Sequence, residues 1–348
     1  MNLSLMEKEA LEAPHMLAKQ FTANRPRLDE LTTRLRTVKP IAAMTIARGS
    51  SDHAAMFAKY LLEIRAGIMT ASAAPSVFTL YQRTLAVENC LVIGISQSGA
   101  SPDIAEMMAA MRKAGAITVA FVNETNSELA LAAEYCIPLH AGTEHAVAAT
   151  KTYIATLGAL IQFVALMTQD NELLNAITQL PDFLQQATQK DWSRAITEYL
   201  KVNNTYIIGR GFSFPTAAEA ALKFKETANI HAEAFSGAEL LHGPFALVAE
   251  HFPILFFAQE DESFSGMYDL MKCVGAMGAR AMVAMPMRYH DLHEEPGLIQ
   301  LPMPRSLHPV CDPLLIIQAF YCMVARLTLA RGLNPDEPKN LTKVTKTW

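Results

Sequence analysis

Several common catalytic signatures are missing from this sequence of 348 residues. It has no GxGxxG, P-loop or GxSxG pattern, so the usual cues for dinucleotide-binding proteins, nucleotide-binding proteins and serine hydrolases are absent. Its histidines form no HxxxH or HExxH pair; the ones considered as ligands are His145, His231, His251, His290 and His293. The sequence therefore predicts no metal and no other cofactor.

Cysteine is scarce, with five residues that lie far apart and form no CxxC pair. Their apolar surroundings indicate buried thiols in a reducing compartment. Glu7 and Glu9 interrupt the N-terminus before an apolar signal segment could form, which disfavours secretion. We expect a cytoplasmic protein.

Clusters of positive charge are missing as well. Lys and Arg total 29 against 34 acidic residues and are scattered, so the electrostatic footprint of a nucleic-acid-binding protein is absent. A small-molecule partner fits this composition better. The longest apolar stretches, residues 153–167 and 314–330, are short or carry polar side chains, and we expect buried helices rather than membrane spans.

What the chain does contain is an alternation of apolar runs and helical patterns. Continuous apolar runs are typical of parallel strands covered on both faces, and they occur at residues 45–47, 77–80, 91–95 and 117–122. Helical spacing separates them at residues 52–63 and 102–113, the second with Ser101 in the N-cap position. This order predicts a βαβ series.

The second half of the chain echoes the first. Residues 46–49 and the helix after them parallel residues 208–211 and their helix, and residues 115–120 resemble residues 278–284. A chain of this length is also long for one hydrophobic core. We therefore predict two tandem α/β domains from one duplication, each a doubly wound, flavodoxin-like parallel sheet flanked by helices.

The boundary is predicted at a polar stretch, residues 185–191, that indicates a connection. Residues 1–185 then hold an N-terminal helical segment and the first domain. Residues 186–348 hold the second domain and a C-terminal tail.

A hydroxyl-rich loop follows the predicted strand at residues 91–95. Its side chains Ser96, Gln97, Ser98 and Ser101, with backbone N–H groups at a helix N-terminus, suit a phosphate, and Gly99 permits close approach. The alternative is an ordinary turn in which Ser101 only caps the helix. A second loop, with Ser51, follows the first strand, and both would lie at the carboxyl edge of one sheet.

A second candidate region runs from residue 223 to residue 244. Lys223 and Glu226 share a helix face, where they form either a solvated ion pair or an acid–base couple. Histidine is a residue type suited to acid–base catalysis, which makes His242 a candidate, although lone histidines are more often structural. Local sequence leaves both alternatives open.

Taken together, the motifs resemble the sugar isomerase (SIS) domain family, in particular the isomerase half of glucosamine-6-phosphate synthase. The resemblance covers the chain from about residue 6 to its C-terminus. It rests on ARGSS at residues 47–51, SQSG at 96–99, VAATK at 147–151, GRG at 209–211, the HAEAF and HGP segments, and PKNLTK at 338–343.

This resemblance implies a role for each matching residue. Glu226 matches the carboxylate that moves a proton between C1 and C2, and His242 matches the ring-opening residue. Lys223 and Lys343 match lysines that bind or polarise the substrate. The positions expected to bind the sugar or its phosphate are Ser51, Ser96, Gln97, Ser98, Ser101, Val147 and Ala149. The resemblance also implies a homodimer whose sites take the histidine from the partner.

Departures from the family pattern suggest the reaction. The chain begins MNLSLMEKEA and enters the isomerase region at once, so we expect no glutaminase domain and no ammonia drawn from glutamine. Ala149 replaces a serine. The expected activity is that of a SIS-type glucosamine-6-phosphate deaminase, which yields fructose 6-phosphate and ammonium.

Other functions of the same fold remain open. They are a fructosamine-phosphate deglycase, an isomerase of an unaminated sugar phosphate, and a non-catalytic sugar-phosphate sensor. Sensors of this kind usually add a DNA-binding helix-turn-helix segment, for which the short N-terminus has neither room nor basic charge. We therefore expect an enzyme.

Overall fold

A computed structural model describes residues 3–287 and 295–343. His290 and His293 lie outside the described residues. The helices are α1 (Leu5–Val38), α2 (Ser50–Ala66), α3 (Pro75–Thr79), α4 (Pro102–Lys113), α5 (Glu128–Ala132), α6 (Lys151–Thr168), α7 (Asn171–Thr188), α8 (Ser193–Tyr199), α9 (Ser213–Ala228), α10 (Gly237–Leu240), α11 (Phe264–Ala276) and α12 (Asp312–Ala330), with a 3₁₀ turn at Pro244–Leu247.

Ten strands form two parallel sheets within the described residues. The first sheet has the order β2-β1-β3-β4-β5, with β1 (Ala43–Ile46), β2 (Thr70–Ser72), β3 (Leu91–Ser96), β4 (Ile117–Val122) and β5 (Tyr135–Pro138). The second has the order β10-β9-β8-β6-β7, with β6 (Asn204–Gly209), β7 (His231–Ser236), β8 (Pro253–Phe257), β9 (Arg280–Ala284) and β10 (Leu298–Leu301).

Both sheets therefore share one topology. When the strands of each sheet are numbered along the chain, and the second sheet is read from β7 to β10, both sheets have the spatial order second, first, third, fourth, fifth. This order is the flavodoxin-like arrangement. This confirms the predicted fold class and the internal repeat. The register between the first and third strands also agrees: Ile46 lies opposite Gly94 in the first sheet, and the corresponding residues, Ile208 and Phe256, lie opposite each other in the second.

The chain divides into two compact units. Among the described residues, the β1–β5 unit comprises residues 15–144, 151–178 and 342–343, and the β6–β10 unit comprises residues 3–14, 145–150, 179–287 and 295–341. Each has its own apolar core. In the β1–β5 unit, Val92 and Met108 pack together, and in the β6–β10 unit Phe256 and Val274 do so. The division at residues 185 and 186 stays a prediction.

The two most apolar helices are core helices. α6 and α12 are long and apolar enough to cross a membrane by length and composition, but most of each is buried inside the protein. Buried helices of this kind are common in large α/β domains. The expectation of core helices is confirmed.

The expectation of buried thiols was right for only part of the set. Cys311 and Cys322 are buried, Cys90 and Cys136 are partly buried, and Cys273 is exposed.

Two predictions of secondary structure were also wrong. Residues 77–80 belong largely to α3, not to a strand, because Pro75 occupies the first helical turn, and Thr70–Ser72 forms the edge strand instead. Gln185 and Gln186 lie within α7, not in a connection. They are on the polar face of an amphipathic helix whose other face buries Ile177, Leu180 and Leu184.

Candidate functional site

The loop after β3 is held in a conformation that only glycine allows at one position. Gly99 has φ +62°, and a Cβ there would clash with the side chain of Ser127. The carbonyl oxygen of Gln97 accepts a hydrogen bond from Asn123 N at 3.2 Å, and that of Gly99 accepts one from Leu129 N at 3.1 Å. The loop is therefore fixed by its neighbour after β4.

The serine hydroxyls of this loop have different roles. Gly99 N donates to Ser96 Oγ at 3.0 Å, and Ala100 N donates to Ser98 Oγ at 3.3 Å. Ser101 occupies the N-cap position of α4, but its side chain makes no capping hydrogen bond. The reading of Ser101 as a simple cap is thus not supported, and part of the expected N–H cradle is bonded to the loop's own serines.

The loop after β1 lies beside this one. Gly49 has φ +56° and leads into α2, which places Ser51 in the first turn of that helix. Because β1 and β3 are neighbours, their carboxyl ends meet at one edge, where the strand order reverses. The structure therefore places Ser51, Ser96, Gln97, Ser98 and Ser101 in the two loops at the switch point of the first sheet.

A buried group of charges lies on α9 in the β6–β10 unit. The Lys223 side chain is 1% exposed; its Nζ lies 3.3 Å from Glu219 Oε1 and also donates to Glu226 Oε2. Glu219 is buried and accepts a hydrogen bond from the Tyr321 hydroxyl at 3.1 Å. Glu226 is 21% exposed. We call Glu219, Lys223 and Glu226 the α9 triad.

The α9 triad is not a solvated surface pair. Burial alone would lower the pKa of Lys223, but the charges of Glu219 and Glu226 and their hydrogen bonds outweigh it, so the pKa is raised. The lysine is therefore a cation enclosed between two carboxylates, and Glu226 is the member that reaches solvent. This arrangement suits proton transfer at a small-molecule site.

His242 lies in the same unit, just after α10, and its side chain is exposed. Its backbone N–H donates to the Glu239 carbonyl oxygen at 3.0 Å. Within the described part of this unit, no hydrogen bond joins its ring to the α9 triad. The ring-opening role of His242 stays a prediction.

Lys343 lies in the β1–β5 unit and contacts a buried carboxylate. Its Nζ is 3.1 Å from Glu144 Oε2, and the side chain of Glu144 is fully buried. Glu144 also accepts hydrogen bonds from Thr152 N at 3.2 Å and from Thr152 Oγ1 at 2.8 Å. Glu144 thus fixes Lys343 against the start of α6.

Val147 and Ala149 lie in a short segment of the β6–β10 unit. Glu9, in α1, is buried and accepts hydrogen bonds from His145 N at 2.5 Å and Ala146 N at 3.1 Å. Val147 N donates to the Asp336 carbonyl oxygen at 3.1 Å. The backbone that carries the predicted sugar contacts is therefore held from two distant parts of the chain.

Sequence reasoning missed the supporting carboxylates. Glu219 could have been found, because it lies four residues before Lys223 on the same helix face. Glu9 and Glu144 act over long sequence separations and gave no local signal. Among residues 3–287 and 295–343, no three His, Cys, Asp or Glu side chains cluster as a metal site would require.

Comparison with known proteins places this geometry in a family. The model of the SIS domain matches residues 39–166 and 198–273, which is more than half of the chain. A crystal structure of a Silicibacter pomeroyi DSS-3 protein described as a phosphosugar isomerase is 34% identical, with a TM-score of 0.90, and the match covers 96% of this chain and 100% of that one.

Two further relatives are aminotransferases. The C-terminal domain of glucosamine-fructose-6-phosphate aminotransferase from Francisella tularensis is 25% identical with a TM-score of 0.85, over 96% of this chain and 98% of that one. Glutamine–fructose-6-phosphate aminotransferase (isomerizing) from Aquifex aeolicus is 30% identical over 97% of this chain. The chain spans only 57% of that relative's length. With its two matched segments and two sheets of one topology, the protein belongs to the SIS domain family.

Proposed function

We propose that this protein isomerises and deaminates an amino-hexose phosphate, converting glucosamine 6-phosphate and water to fructose 6-phosphate and ammonium. The observation that carries the proposal is the α9 triad, in which a solvent-reaching carboxylate, Glu226, is bonded to a lysine that is 1% exposed. Groups arranged in this way are concentrated at catalytic sites, because burying them otherwise costs stability.

Proton transfer by Glu226 is the central step of the proposed mechanism. After His242 assists opening of the pyranose, Glu226 removes the proton from C2 while the aldehyde oxygen gains one, which forms a C1–C2 enolamine. Glu226 then returns its proton to C1, and loss of one N–H proton leaves an imine at C2. Water adds to C2 and ammonia departs, which gives the ketose.

The remaining site residues bind and orient the substrate. Lys223 and Lys343 supply positive charge for the sugar oxygens, and Ser51 with the loop from Ser96 to Ser101 binds the phosphate through neutral donors. Val147 and Ala149 line the sugar. Glu144 and Glu9 hold Lys343 and the Val147 segment in place through the contacts described above.

The choice of an amino sugar follows the family relationship. The Aquifex aeolicus and Francisella tularensis relatives are named for reactions of fructose 6-phosphate with an amino group. A pure sensor is disfavoured, because binding alone does not need a lysine buried between two carboxylates. The deglycase and the isomerase of unaminated sugars use similar groups and are separated by experiment.

We also propose a cytoplasmic homodimer in which His242 serves the partner's site. The exposed position of His242 supports this. Mixing inactive Glu226→Gln and His242→Asn proteins, after mild dissociation and reassociation, should restore a fraction of the activity. A monomer by light scattering, or no recovery from a mixture that forms mixed dimers, would contradict shared sites.

One assay tests the proposed reaction. Purified protein is incubated with glucosamine 6-phosphate, and ammonium and fructose 6-phosphate are measured together. Equal amounts of both products are expected. Isomerised sugar without ammonium would favour a simple isomerase, and turnover only of fructosamine phosphates would favour the deglycase. Phosphosugar binding with no turnover of any of these substrates would support the sensor.

A further inference from the structure

One ion pair joins the two serine loops of the first sheet. Arg48 lies in the loop after β1, and its Nη2 is 2.9 Å from Oδ2 of Asp103 in the first turn of α4. The Asp103 side chain is 1% exposed, whereas that of Arg48 is 50% exposed. The pair thus connects a buried carboxylate at the start of α4 with a guanidinium that reaches the surface beside Ser51.

The N-terminus of α4 is by itself a poor anion site. Pro102 has no N–H group, and the N–H of Ile104 donates to Asp103 Oδ1 at 2.9 Å. The N–H groups of Gly99 and Ala100 donate to serine hydroxyls of the loop. A buried carboxylate at the same helix end also repels an anion, so the dipole of α4 is largely offset.

Arg48 supplies the charge that this site needs. A guanidinium has five N–H donors in a planar fork, so a bond to Asp103 leaves others for a phosphate. Asp52, in the first turn of α2, lies near Arg48: burial raises the pKa of Asp52, and the nearby charges of His53 and Arg48 oppose that rise. Arg48 therefore pairs with Asp103 and interacts electrostatically with Asp52, which His53 also influences.

We propose that Arg48 binds the phosphate of the substrate directly, with one edge of its guanidinium, while its other edge neutralises Asp103. Arg48 then selects phosphorylated sugars over neutral ones and links the β1 and β3 loops around the anion. This inference rests on the proposed function, because it assigns the phosphate to the same two loops.

Binding of inorganic phosphate to the full chain tests the inference without turnover. Calorimetry would compare wild-type protein with Arg48→Ala, Arg48→Lys and the double variant Arg48→Ala/Asp103→Asn. Arg48→Ala should weaken phosphate binding at least tenfold, and Arg48→Lys should weaken it less, because an ammonium keeps the charge but loses the fork. The matched control is Arg65→Ala, which removes an arginine of α2 that also pairs with an aspartate, Asp170, and should leave binding unchanged.

The double variant separates direct contact from charge neutralisation. If Arg48 contacts the phosphate, Arg48→Ala/Asp103→Asn still binds phosphate at least fivefold more weakly than wild type. Recovery to within twofold would overturn the inference, since Arg48 would then only offset Asp103. Should Arg48→Ala fail to fold by circular dichroism, the double variant and Arg48→Lys carry the test, because the first removes the negative charge at position 103 and the second keeps a positive charge at position 48.

The result is distinguishable from failure of the proposed reaction. Wild-type protein that deaminates glucosamine 6-phosphate and an Arg48→Ala protein that binds phosphate equally well would overturn the role of Arg48 alone. Loss of phosphate binding in Arg48→Ala, with no deamination by wild type, would support Arg48 and overturn the reaction. In an active enzyme, the preference for glucosamine 6-phosphate over glucosamine should fall at least tenfold in Arg48→Ala.

Discussion

The two sheets share one strand order, but the loops after their third strands are built differently. After β3, the loop carries small hydroxyls and Gly99. After β8, the side chain of Gln259 is buried and hydrogen-bonded: its Nε2 donates to the Arg210 carbonyl oxygen at 3.0 Å and to Asp261 Oδ2 at 2.8 Å, and its Oε1 accepts from Ser213. The second loop is therefore bonded to the segment that follows β6, and it is acidic.

The helices after the first strands also differ, but here the polar groups are in the β6–β10 unit and the apolar ones in the β1–β5 unit. When Arg48 is aligned with Arg210, the α9 triad falls on Phe57, Leu61 and Ile64 of α2. Phe57 and Leu61 are buried apolar residues, and Ile64 is 55% exposed. One copy of the fold has its polar chemistry in loops, and the other has it on a helix. The two halves therefore share their packing layers and differ in where their polar groups lie.

The largest effect expected from this comparison is at Glu226. Glu226→Gln should lower kcat by about 10³-fold or more, because general acid–base groups contribute roughly 10² to 10⁴. Binding of inorganic phosphate should stay within twofold, since the serine loops belong to the other sheet. The matched control is Ile64→Gln at the equivalent exposed position of α2, which should leave kcat unchanged. Near-normal turnover in Glu226→Gln would refute the division of roles.

Lys223 tests whether the buried charge is structural as well. Lys223→Met should lower the free energy of unfolding by about 3 kcal/mol, because two carboxylates lose their counter-ion in a buried place. Leu61→Met, at the equivalent position of α2, should cost less than about 1.5 kcal/mol. Urea denaturation followed by circular dichroism measures both. Similar costs for the two variants would contradict the enclosed ion group.

The difference in stability between wild type and Lys223→Met should depend on pH in one direction only. The pKa of Lys223 is raised in the folded protein above its usual value of 10.5. The stabilisation is therefore fully present below about pH 10 and is lost as the pH rises through the folded value. The difference in melting temperature between wild type and Lys223→Met should be constant from about pH 7 to 9.5 and should shrink above about 10.5. A decline already at pH 8 would contradict a raised pKa.

Gly99 tests whether the conformation of the loop after β3 is needed for phosphate binding. Gly99→Ala adds a Cβ at φ +62° and forces it against Ser127, so phosphate binding should weaken by more than tenfold. Gly142→Ala is the matched control, because Gly142 has φ +66° and open space around the added Cβ. It should cost about 1 kcal/mol of stability through backbone strain and leave phosphate binding unchanged. Equal phosphate binding by both variants would show that the loop conformation does not matter.

Ser101 should give the smallest effect. Because its side chain makes no capping bond, Ser101→Ala should change stability by less than about 0.5 kcal/mol and weaken phosphate binding about fivefold, as expected for one neutral hydrogen bond. Ser127, which accepts a hydrogen bond from Ala130 N at the start of α5, provides the contrast. Ser127→Ala should cost about 1 kcal/mol of stability. If Ser101→Ala were destabilised as much as Ser127→Ala, Ser101 would be a cap of α4 instead.

The sequence by itself determined the strands and helices whose signals are local. Ile117–Val122 and Pro102–Lys113 have the predicted bounds, because a continuous apolar run and a Ser-Pro start are read within a few neighbouring residues. The repeat gave two sheets of one topology, and the spacing of Lys223 and Glu226 put them on one helix face. The short α3 was missed because a run of only four residues, three of them apolar, fits a strand and a helix equally well.

Only the tertiary structure decided which polar residues are buried and what they contact. A face of α9 becomes interior because other elements cover it, so the sequence could not distinguish an enclosed Lys223 from a solvated one. Glu144 meets Lys343 across 199 residues, and Arg48 meets Asp103 across 55. Such pairs leave no periodic trace in the sequence, since each depends on the folding of the chain between its members.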